Sequence, residues 1–166
     1  MNGFDLLIGL ILLAGLIAGM ARGTLRELWS LFTLAVATFF AGQLYPTAGA
    51  AIHGFVADAN LSDFLGFAAF FVMILGLLNG PVDLVIHDWQ VMFPRAVDRT
   101  LGGLLAVFEA AGVAEVLALL LTTYPVLHLD ASARGSALAR LMVGNWPVML
   151  ALLPPEFQPA ASTFAS

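Results

Sequence analysis

Cysteine and lysine are both missing from this 166-residue chain. Without cysteine there is no disulfide, no thiol nucleophile and no thiolate metal site, and the redox compartment leaves no trace. Charge is scarce as well. Asp, Glu and Arg together make up only 10% of the residues, where a soluble domain carries about a quarter to solvate its surface. The 6 cations, all arginine, face 11 anions for a net charge of −5, so no basic stripe exists to hold nucleic acid. Catalytic signatures are missing too: there is no GxSxG elbow, no phosphate loop and no dinucleotide glycine fingerprint. The three histidines, His53, His87 and His128, lie in different connections or the tail, without a metal-ligand spacing. The chain reads as a non-enzyme with neither cofactor nor metal.

What fills the space is apolar, 61% of all residues. So large a surplus in a chain of one-domain length needs lipid as its solvent. Four runs are long enough to count as spans, over about residues 6–21, 28–44, 64–80 and 100–123. About 20 residues cross the hydrocarbon core, so the shorter runs borrow flanking residues or snorkelling arginine stems. Tyr45-Pro46 closes the second run, Ser62-Asp63 caps the third, Asn79-Gly80-Pro81 ends it, and Tyr124-Pro125 stops the fourth. No window alternates at period two, which excludes a barrel. The fold class that follows is all-α, an integral membrane bundle of about four transmembrane helices over residues 1–124. Residues 125–153 read as an interfacial amphipathic helix near Asp130–Asn145, with Trp146 at headgroup level and Val148–Leu153 too short to span. The Pro- and Ala-rich residues 154–166 read as a flexible tail.

Arginines set an orientation. Arg22 and Arg26 lie in the first connection, Arg95 and Arg99 in the third, and the second connection has none. That alternation puts both termini outside, although Arg134 and Arg140 in the tail pull the other way. The first span lacks positive charge ahead of it, so it reads as a retained helix rather than a signal peptide.

Two features stand out within the spans. Gly15, Gly19 and Gly23 repeat at four residues on the first, as do Gly102, Ala106, Ala110, Ala114 and Ala118 on the fourth, with Gly76 and Gly80 on the third. Small-residue stripes let helices approach closely, either within the bundle or in a homo-oligomer or a complex with a membrane-protein partner. Glu109 and Glu115 fall inside the fourth run, where a charge costs about 2.5–3.5 kcal/mol on insertion scales. Six residues apart, they point to different helix faces. They serve either as a proton or cation relay, or as groups satisfied by Thr, Asn or Arg within the bundle, or the helix is tilted and one of them lies near an interface.

Some of these residues also carry a family resemblance. The stretch Gly19-Met20-Ala21-Arg22-Gly23-Thr24-Leu25-Arg26-Glu27 resembles the signature between the first two membrane helices of the colicin V production protein (CvpA) family. Asp98-Arg99-Thr100-Leu101-Gly102-Gly103-Leu104-Leu105 is similar to the segment opening that family's last helix. The resemblance covers about residues 1–153, departing where Ala106 and Glu109 replace the family's usual choices. It implies a multi-pass protein of the bacterial inner membrane, concerned with toxin production or export and with envelope homeostasis; the arginine pattern adds periplasmic termini. Physically, Arg22 and Arg26 would share a face if the helix continued, and Glu27 would pair with Arg22 or Arg99.

Overall fold

The computed structural model describes residues 2–85, 93–126, 128–145 and 148–164. Among them every regular element is helical. Four helices are long and apolar enough to cross a membrane: α1 (Gly3–Arg22), α2 (Thr24–Ile52), α3 (Ala59–Val85) and α4 (Arg95–Thr123). They are the four expected spans, each lengthened at one or both ends.

The lengthening has a common cause. Tyr45-Pro46 does not close α2, and Asn79-Gly80-Pro81 does not close α3; both prolines lie inside their helices. Proline removes one N–H and so one intrahelical bond. Unravelling the helix in lipid would orphan several backbone groups at once, each at a cost of several kcal/mol, so continuing past one lost bond is cheaper. The cap of α3 also moves. Asp58, not Ser62-Asp63, accepts the Leu61 N–H at 3.2 Å, while the Ser62 hydroxyl turns back onto the Asp58 carbonyl at 2.9 Å. Only one residue separates α1 from α2. Gly23 turns the chain with φ +88°, a region that side chains disfavour, and a Cβ there would also strike the Asp98 carboxylate. Arg22 and Arg26 therefore sit on different helices, which corrects the expectation of a shared face.

The helices form a row: α3 packs on α2, α2 meets α4, and α4 lies along α1, which barely touches α2. Glycine lines the close crossings. A Cβ at Gly15 would come within 2.8 Å of Ala110 Cβ, and one at Gly102 within 2.6 Å of the Gly19 carbonyl. On the other side of α2, a Cβ at Gly66 would meet the Gly49 nitrogen at 2.7 Å.

The region after Tyr124 departs most from expectation. Instead of one helix lying on the membrane, the chain forms α5 (Leu129–Arg134) and α6 (Ala137–Asn145), broken at Gly135-Ser136. Asp5 of α1 explains the break. Its Oδ1 accepts the Ser136 hydroxyl at 2.6 Å and the Leu138 N–H at 3.0 Å, so an acid from another helix completes the start of α6. Ala133, Ala139 and Val143 turn inward against the bundle. Trp146 lies outside the described residues.

Val148–Leu153 then dips into the bundle as a re-entrant segment. Met149 is buried beside Gly112 and Thr38, and Leu153 and Pro154 close on Gly42. Gly112 lies eleven residues inside the end of α4, which at 1.5 Å per residue is about 16 Å along the helix. Met149 and Leu153 are covered by α2 and α4, while Val148 and Ala151 of the same segment remain exposed. The expected flexible tail is packed as well. Pro155–Phe157 forms a turn of tight helix leading into α7 (Gln158–Ser162), and Phe157 and Phe164 are buried. Phe157 closes an aromatic cluster with Tyr45, Phe67 and Tyr124, with ring centroids 5.9–6.3 Å away. The Tyr45 hydroxyl donates to Glu156.

Candidate functional site

The polar groups of the bundle collect in two places. The first is the end where α1 passes into α2. Gly23 has no side chain with which to cap α2, and Asp98 of α4 takes over. Its Oδ1 accepts the Thr24 N–H at 3.1 Å, and the Thr24 hydroxyl donates to the Asp98 carbonyl at 3.1 Å. A carboxylate at a helix N-terminus also favours the helix dipole. Next to it, Gly103 packs on Met20 and Leu16 of α1. Residues from both ends of the sequence pattern, Gly19, Gly23, Asp98, Gly102 and Gly103, thus form one interlocked crossing.

One turn deeper lies Glu27, fully buried. Of the two candidate partners, Arg22 reaches it, with Nη1 3.2 Å from Oε1. The guanidinium remains half-exposed at 46% while it pairs with a fully buried acid. Glu27 Oε2 is buried without a hydrogen-bond partner. Facing it is the carboxyl group of Glu109 from α4, whose Oε1 accepts the Ser30 hydroxyl at 2.5 Å. Thr33 and Asn79 continue the polar line toward α3 at 3.3 Å, and the Trp29 indole N–H donates to the Leu78 carbonyl at 3.3 Å. Glu109 is thus met by a serine and by a second acid. Arg99 is exposed near the start of α4.

The second place is around Glu115, also buried, whose Oε1 accepts the Leu150 N–H at 3.2 Å. Its partner belongs to the re-entrant segment, which no pattern within the four spans announces. A cavity of about 120 Å³ opens beside it, lined chiefly by apolar groups including Leu31, Phe108, Gly112, Met142 and Met149. Glu115→Leu is expected to leave the half-buried Leu150 N–H without its acceptor, at a cost of about 1 kcal/mol. Hydrogen exchange would show faster opening at Leu150 in that variant. Glu115→Gln keeps an acceptor and should retain most of the protection. Equal exchange in all three proteins would sink the assignment.

At the opposite end of the bundle Arg134 pairs with Asp130 and holds that carboxyl below its usual range. No cluster of three metal-ligating side chains exists among the described residues. His53 and His128 are exposed, and His87 lies outside the described residues.

The residues that sequence reasoning passed over are Asp5, Ser30, Gly42, Gly49 and Gly66. Asp5 is recognisable in sequence only as a flank, and a lone Ser or Gly in an apolar run says nothing about which helix it will meet.

Comparison with known proteins bears on the whole chain. Residues 4–147 match the family model described as "Colicin V production protein". No curated protein and no solved structure matches the chain.

Proposed function

The chain belongs to the colicin V production protein family, and on that premise we propose that it is a non-enzymatic helper or scaffold of the bacterial inner membrane, acting in toxin production or export and envelope homeostasis. The observation that carries the reading is how the family-like residues are used. Gly19, Gly23, Asp98 and Gly102 are consumed in holding α1, α2 and α4 together. A protein whose most characteristic residues build a rigid crossing works through its shape and its neighbours.

The arginines Arg22, Arg26, Arg95 and Arg99 gather at one end of the bundle, which we assign to the cytoplasm, with both termini in the periplasm. The neighbour we favour is a second copy of the chain. On α3 a Cβ at Gly76 or Gly80 would touch nothing, while Val72, Met73 and Leu77 beside them are exposed at 66%, 54% and 68%. Glycines four apart flanked by such residues form self-complementary crossings that suit a two-fold pair.

Purification in nanodiscs at native expression, with mass determination and identification of co-eluting proteins, tests the proposal. A homo-oligomer that falls apart in the Gly76→Leu/Gly80→Leu variant is the expected result. A fixed complex with other proteins would keep the helper role but replace the partner. A monomer without companions would overturn both.

A further inference from the structure

The crossing leaves one group unaccounted for. Glu27 is fully buried, with Arg22 on Oε1 and nothing on Oε2. Glu109 lies against it, itself engaged by Ser30 through Oε1. We propose that Glu27 and Glu109 form a proton-binding site within the membrane, holding one proton between their carboxyl groups. This inference goes beyond the helper reading and does not depend on it.

Charge arithmetic leads there. With both acids ionised, the trio of Arg22, Glu27 and Glu109 carries −1 in a medium where neighbouring like charges repel strongly. Among the described residues, the charged groups acting on Glu27 are Glu109 from α4 and Arg22 from α1. From α3 the polar line brings the neutral Asn79 amide, whose oxygen accepts from the Thr33 hydroxyl. One proton taken from water makes the trio neutral. Donated from one carboxyl group to the other, it also supplies the bond that Glu27 Oε2 lacks. The balance is simple: one proton adds to one carboxylate, and no bond other than O–H forms or breaks.

A metal cation fits poorly. Calcium takes about 6–8 oxygen ligands and magnesium about six. The pocket offers two carboxyl groups and the Ser30 hydroxyl, and no described cluster suits a metal.

The proton has a mechanical consequence. Glu27 stands one turn above the Gly23 turn, and Arg22 ends α1. Losing the proton leaves two anions for one guanidinium, which favours drawing Arg22 further in or parting α2 from α4. Proton occupancy is thereby linked to the crossing that joins α1, α2 and α4.

Infrared difference spectra of the intact protein in nanodiscs, taken between acidic and alkaline buffer, test the site directly. The expected spectrum contains a protonated-carboxyl carbonyl band that is lost or displaced in both Glu27→Gln and Glu109→Gln and kept in Glu115→Gln. Ser30→Ala should move the same band to higher frequency, because a carbonyl that loses a hydrogen bond stiffens. This last variant leaves both acids in place, so the test survives even if the Gln variants fail to fold. No titrating carboxyl band, a band indifferent to Glu27 or to Glu109, or one unmoved by Ser30→Ala would overturn the proposal.

Discussion

Phe157→Ala is expected to destabilise the folded chain by about 3–5 kcal/mol, the range for removing a fully buried phenylalanine. Phe157 has no solvent exposure and touches Tyr45 of α2, Phe67 of α3 and Tyr124 at the end of α4. Its ring is the only described contact of this cluster that comes from beyond α4 and links three elements at once. Truncation leaves a hole lined by rings that cannot collapse, since each is fixed by its own helix. The loss should also release the Tyr45–Glu156 hydrogen bond and loosen the re-entrant segment before it. Denaturant unfolding in mixed micelles measures the first effect, and limited proteolysis after Tyr124 measures the second. A change under about 1 kcal/mol, with the tail still protected, would mean that the C-terminal segment is not seated on the bundle as described.

Gly19→Leu is expected to cost at least about 3 kcal/mol, at the upper end for forcing extra volume into a packed interior. A Cβ at this position would overlap Ala106 Cβ and lie 2.5 Å from the Gly102 carbonyl oxygen. Neither is the movable end of a long side chain, so relief requires α1 and α4 to separate. In lipid the two helices gain little by hiding apolar surface from each other, and close packing is most of what holds them. Separation would also carry Gly23 away from Asp98 and uncap α2. A pair of cysteines introduced on α1 and α4 would then cross-link far less efficiently than in the glycine parent. Undiminished cross-linking and unchanged unfolding would show that α1 does not use this face. The same substitution at Gly76, where a Cβ meets nothing, should leave the monomer's stability within about 0.5 kcal/mol.

The two variants mark where the sequence was readable and where it was not. Gly19 and Gly102 advertise themselves, because four-residue spacing of small residues places them on one helix face by geometry alone. Phe157 does not. It follows two prolines in a segment whose composition suggests a loose tail, and its burial depends on three rings distant in the chain. The prolines misled in the same way. Pro46 and Pro81 carry a strong local signal to stop a helix, but lipid makes an open backbone costlier than one missing bond, so the environment overrides the residue.

The polar groups divide along the same line. That Glu109 and Glu115 need partners follows from their place in apolar runs. Which partners they find does not, because Ser30 is 79 residues from Glu109 and Leu150 is 35 from Glu115. Asp5 is the extreme case, an acid at the start of the first helix that starts α6 across 131 residues by accepting the Ser136 hydroxyl.

The sequence by itself determined the membrane as solvent and the number and order of the crossing helices. Each of these depends on sums or spacings along a few turns of chain, since hydropathy adds locally and helix faces repeat every few residues. Only the tertiary structure decided that the C-terminal segment re-enters the bundle, that Asp98 caps α2, and that Glu27 meets Glu109. Those outcomes follow from buried polar atoms and ring edges that must each find a partner, and the nearest partner in space has no fixed separation in sequence.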